Sequence, residues 1–189
     1  KGHIEVDSRT GEGTTFDEVE EITTVETDLW VARLSNRGGT LVSWELKQYD
    51  DASGERVQLV PEGLSALGTT IELAGRTLDT STIMFEGPGE NAYSPRGEGA
   101  FTLLGFKATT DEGIRLTKQY TFYPDGYAFE LYVSVMGLNG PAAQKELLIG
   151  WPGVYPTEES EDERADRASV VMVDGSAERQ SLGSLKDER

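Results

Sequence analysis

The single histidine of this chain is His3, and there is no cysteine. A Ser–His–Asp or Cys–His relay needs an imidazole held within a folded site. His3 sits instead in a polar stretch rich in Gly and Thr, so neither relay is expected, and histidine-based metal coordination falls with them. The acidic run Glu158, Glu159, Glu161, Asp162, Glu163 lacks the ordered Asp/Asn/Gly spacing of a calcium loop and reads as a solvated charge run. Paired carboxylates could serve a glycosidase, but with 34 acidic residues no pair stands out. Gly87-Pro88-Gly89 begins like a dinucleotide loop without the βαβ pattern that loop needs, and Arg37-Gly38-Gly39 lacks the Lys-Ser/Thr of a P-loop. Both read as turns. Trp30, Trp44, Trp151 and the seven tyrosines could stack on sugars or line a peptide groove, although such residues more often build a core. The expectation is no catalytic residue, no cofactor and no metal.

Charge narrows the partners. Against 34 acidic residues stand 17 basic ones, a formal charge of −17, which repels nucleic-acid phosphates and anionic lipid headgroups. No apolar run approaches the roughly 20 residues of a membrane span. The N-terminus, Lys-Gly-His-Ile-Glu, has no initiator Met and no signal-peptide pattern, so a piece of a longer protein, or a processed one, is expected.

The remaining residues must be positioned by strands. Residues 114–135 carry Ile114, Leu116, Tyr120 and Phe122 at period two, interrupted by Lys118. After a turn, Tyr127, Phe129, Leu131, Val133 and Val135 repeat that period. Pro124, Asp125 and Gly126 supply the turn, with proline fixing φ and glycine admitting positive φ. A hairpin of this kind needs other strands to cover its face and edges. Upstream, residues 22–26 and 29–34 predict two short strands, and 40–49 a third, with Val42, Trp44 and Leu46 facing one way. The last two meet at a turn built on Asn36, Gly38 and Gly39. Further strands are expected at 57–60, 70–73, 83–85, 101–109, 144–151 and 169–173, with 157–168 a helical turn or a solvated loop. Strands about every ten residues, separated by Gly and Pro, predict an all-β antiparallel sandwich with few or no helices. Residues 1–21 read as an acidic flexible linker, 22–175 as the sandwich and 176–189 as a polar tail.

Three segments carry a resemblance. SNRGGTLVSWELKQY (residues 35–49) resembles the opening of the large periplasmic domain of bacterial YidC-type membrane protein insertases. LTKQYTFYPDGYAFELYVSV (116–135) resembles that domain's K-x-Y-x-F hairpin, and IGWPGVYPTEE (149–159) its W-x-x-G segment followed by an acidic stretch. They occur in family order and together span about residues 22–175. The chain departs in placing Asn139 later than the family's usual hairpin-closing asparagine, and in ending before the family's last strands. The resemblance implies a galactose mutarotase-like β-supersandwich at the periplasmic face of the inner membrane. It implies no catalysis and contacts with accessory subunits of the Sec translocon and with nascent membrane proteins. The alternative implied by the fold is a carbohydrate-binding module; an epimerase would need a histidine in the folded body.

Overall fold

The structure is a computed structural model that describes residues 19–73, 76–138, 146–151, 168–173 and 176–181. Those residues form thirteen strands and no helix. In chain order they are β1 (Ile22–Glu26), β2 (Trp30–Ser35), β3 (Thr40–Asp50), β4 (Arg56–Gln58), β5 (Gly68–Leu73), β6 (Arg76–Asp79) and β7 (Ala92–Tyr93). There follow β8 (Thr102–Thr109), β9 (Arg115–Phe122), β10 (Phe129–Met136), β11 (Glu146–Gly150), β12 (Ala168–Val173) and β13 (Ser176–Ser181).

Four sheets result, ordered β4-β3-β2-β1-β7, β10-β9-β8, β11-β5-β6 and β12-β13. Every pairing is antiparallel except β1 with β7. The first two sheets supply most of the core. Val25, Trp30, Ala32, Leu34, Leu41 and Trp44 come from one, and Leu104, Phe106, Leu116, Tyr120 and Phe122 from the other. Rings join the layers, with Trp30 5.5 Å from Phe122 and Trp44 5.0 Å from Phe129 between centroids. Two sheets sharing one apolar layer make a sandwich, as the strand pattern and the resemblance imply.

Both hairpins form where the alternation put them. β2 pairs β3 across the Asn36–Gly39 turn, and β9 pairs β10 with Tyr120 opposite Leu131. The details differ in instructive ways. Arg33 pairs with Ser43 but Leu34 pairs with Leu41, leaving Val42 as the extra residue of a bulge. The bulge changes the facing of β3: Leu41 is fully buried beside Trp44, and Val42, expected on the Trp44 face, is only half-buried. On β10 the expected apolar face is only half-buried, and Tyr127 just before it is exposed, because β10 is an edge strand. Gly126 does not adopt the positive φ expected of it.

Residues 83–85 are not a strand. Met84 makes one isolated bridge to Arg37, and Phe85 donates its N–H to Asn36 O at 2.8 Å. β6 and β7 were not predicted, and Ser176–Ser181, expected in the polar tail, is strand β13 against β12. Glu20 and Glu21, placed at the end of the expected linker, are already bonded to the first turn: Glu21 N–H donates to Asn36 Oδ1 at 2.8 Å. His3, residues 1–18, Asn139, the acidic run within 157–168 up to residue 167, and residues 182–189 lie outside the described residues.

Candidate functional site: the first turn and the cleft beside it

The Asn36–Gly39 turn is built into the core. Gly38 and Gly39 take φ of 69° and 55°, a region that costs other residues a steric penalty. Space also demands glycine. A Cβ on Gly38 would lie 3.0 Å from Ser81 Cα, and one on Gly39 3.2 Å from Phe106 Cβ. The turn therefore packs directly on β8 and on the residues after β6.

A turn buried this way must have its carbonyls satisfied. β9 does so from the opposite sheet. Lys118 Nζ donates to Gly38 O at 2.8 Å and to Leu67 O at 2.7 Å, and Tyr120 Oη donates to Gly39 O at 2.7 Å. Lys118, which looked like an interruption of the apolar pattern, is 2% exposed and sits within the core face. Burial holds the Lys118 ammonium down at about 8 and pushes the Tyr120 phenol well up from its usual range. Sequence reasoning missed this role; the signal was a lysine in register with Leu116 and Tyr120.

The second turn is held the same way in the opposite direction. Trp30 Nε1, on β2, donates to Gly126 O at 2.8 Å. Each hairpin thus grips the turn of the other. Of the turn residues singled out from sequence, Gly38, Gly39 and Gly126 take part in these links, while Asn36 is bonded to Glu21 and Phe85. Pro124 and Asp125 shape the second turn, and the two turns are not brought together into one site.

Outside the first turn lies a cleft. One hollow of about 310 Å³ is bounded by Glu20, Arg37, Thr40, Val42, Leu64 and Ser81. A second, of about 370 Å³, is bounded by Gly68, Thr70, Asp79, Leu148, Ile149 and Trp151. Ser65 and Ser81 border both, so the two hollows of this cleft lie side by side between Arg37 and β11. At its first end Arg37 Nε lies 3.5 Å from Glu20 Oε2, a half-exposed pair worth little in water. Ser35 Oγ donates to the other oxygen of Glu20 and accepts the Arg37 N–H at 2.9 Å. The floor is small and hydroxyl-bearing, while the β11 end is apolar. Such a surface can hold a chain through backbone bonds and shallow apolar contacts. Among the described residues no group of three or more His, Asp or Glu is arranged to hold a metal ion, and no helix is long and apolar enough to cross a membrane.

Comparison with known proteins bears on most of the chain. The family described as YidC periplasmic domain matches residues 22–182. A protein of Chlorobium luteolum named membrane protein insertase YidC is 30% identical over 157 residues, covering 80% of this chain and 26% of that protein. One of the same name from Chlorobaculum parvum is 27% identical over 161 residues, covering 82% and 27%. Another from Treponema denticola is 30% identical over 127 residues, covering 64% and 22%. The chain thus spans about a quarter of the length of these relatives.

Proposed function

Because the chain belongs to the YidC periplasmic domain family, we propose that it is a non-catalytic, protein-binding domain of a membrane protein insertase. Its place is the periplasmic face of the bacterial inner membrane. In this reading it supports insertion through contacts with the Sec translocon and with the chains being inserted, and residues 1–21 serve as an acidic linker. The observation that carries it is the family match over residues 22–182. The cleft adds support, since it offers an extended, half-apolar surface rather than an enclosed substrate chamber.

The test is site-specific photocrosslinking in living cells from positions 65 and 148 of the full-length insertase. Crosslinks to translocon subunits or to newly made membrane proteins are expected. Their absence from both positions would overturn the binding role of this cleft. Saturable binding of oligosaccharides in the same cleft would instead favour the carbohydrate-binding alternative.

A further inference from the structure

β11 departs from the rest of the sheet system. It pairs with β5 along one edge, and no described strand pairs with the other. Leu147 and Ile149 stand opposite Ile71 and Thr69, which are buried, yet they are themselves 44% and 47% exposed. Leu148, opposite Thr70 on the other face, is 47% exposed. Leu147, Leu148 and Ile149 are thus half-exposed on both faces of the strand, and among the described residues one of its edges is open. An apolar, open edge is a template for another strand.

Charge decides between occupants. A second copy of this chain would fit by symmetry, with Leu148 on the dyad and Leu147 against Ile149 of its mate. It would also join two molecules that each carry a formal charge of −17. The edge itself is acidic at one end. Glu146 stands directly opposite Glu72, both exposed, so two carboxylates lie side by side on one face. Like charges paired across a sheet repel, and a cation on a third strand would relieve them.

We propose that the open edge of β11 takes up an extended peptide segment as an added strand, with apolar residues alternating along it and a lysine or arginine where it passes Glu146. This deepens the protein-binding reading above and rests on it: main-chain bonds give the affinity, and the flanking cation selects the segment.

The probe is a short fluorescein-labelled peptide alternating valine and threonine, with a lysine at each end, titrated into the 189-residue chain and followed by anisotropy. Binding is expected to weaken about tenfold or more when alternate peptide amides are N-methylated, because the ladder is then blocked. Replacing the lysines by glutamates should weaken binding several-fold at low salt, with the gap closing as salt screens the charges. Glu146→Lys should remove most of that preference, because Glu72 beside it neutralises the new ammonium, and Leu148→Asp should abolish binding while the circular dichroism stays unchanged. No binding, binding indifferent to N-methylation, or a preference unmoved by Glu146→Lys would overturn the proposal. So would a concentration-dependent dimer abolished by Leu148→Asp, which would give the edge to a second copy. The two readings fail separately. Peptide binding without crosslinks in cells would remove the insertase partners and leave the edge site; crosslinks without peptide binding would overturn the edge site alone.

Discussion

On β9 a lysine is 2% exposed, while on β11 three consecutive aliphatic residues are 44–47% exposed. Residue type predicts the reverse in both places. The difference lies in sheet position. β9 is the central strand of β10-β9-β8, and its Leu116, Lys118, Tyr120 and Phe122 all face the first sheet. A polar group there is tolerated because two carbonyls point at it. β11 is the outer strand of β11-β5-β6, where nothing described covers its aliphatic side chains. The fold thus spends its long-range polar bonds on locking two hairpins together and leaves apolar surface at its margin. The first region is built for rigidity and the second for contact.

The largest effect should come from the interlock. Trp30→Ala removes ring packing against Trp44, at 4.9 Å, and Phe122, and it leaves Gly126 O without its donor. A loss of about 3–5 kcal/mol is expected from urea unfolding at neutral pH. A loss near 1 kcal/mol would mean that the hairpins do not depend on each other, and the contrast with β11 would lose its rigid side.

Lys118 gives the next effect, and its size depends on pH. Lys118→Met leaves the Gly38 and Leu67 carbonyls without their donor, at about 1–3 kcal/mol for each buried orphan, partly offset by no longer having to desolvate the amine. A net loss of about 2–3 kcal/mol is expected near pH 9. The folded-state pKa of about 8 lies below the unfolded 10.5, so between these values the unfolded chain holds more protons. Stability of the parent therefore rises with pH from about 8, by roughly 1.4 kcal/mol per unit at most. It falls again above pH 10, because Tyr120 loses its proton more readily unfolded than folded. Urea midpoints across this range should show the rise in the parent and not in Lys118→Met. Tyr120→Phe should keep the rise and lose this residue's share of the fall. A parent profile flat between pH 8 and 10 would mean that Lys118 is hydrated, and the buried side of the comparison would break.

Much of this was legible in the sequence, and the gaps have physical causes. Alternation at Ile114–Phe122 and at residues 40–46 identified both hairpins, because a half-buried strand writes its facing into every second residue. It misled at Val42, since a bulge inserts one residue and exchanges the faces, and no local residue type announces it. β6 and β7 were invisible because Arg76–Asp79 and Ala92–Tyr93 are too short to show a period. Asn36, Gly38 and Gly39 were recognisable as a turn, but their place in the core was not. That depends on Lys118 and Tyr120, some eighty residues away, whose polarity marked an interruption rather than a partner. The cleft and the β11 edge follow from sheet order, which local periodicity does not encode.

The smallest expected effect tests the exposed side. Leu148→Ser removes an aliphatic side chain already 47% exposed, so stability should change by no more than about 0.5 kcal/mol. The control is Leu104→Ser on β8, fully buried, where the lost packing and the buried hydroxyl should cost about 3–5 kcal/mol. Leucine and serine are the same in both substitutions, so the difference between them measures burial alone. Leu148→Ser should also elute earlier from a hydrophobic-interaction column than the parent, since the surface it removes faces solvent. A loss above 1 kcal/mol at Leu148 would show that side chain to be covered in solution. β11 would then belong with β9 on the rigid side, and the surface available to partners would contract to the Arg37 end of the cleft.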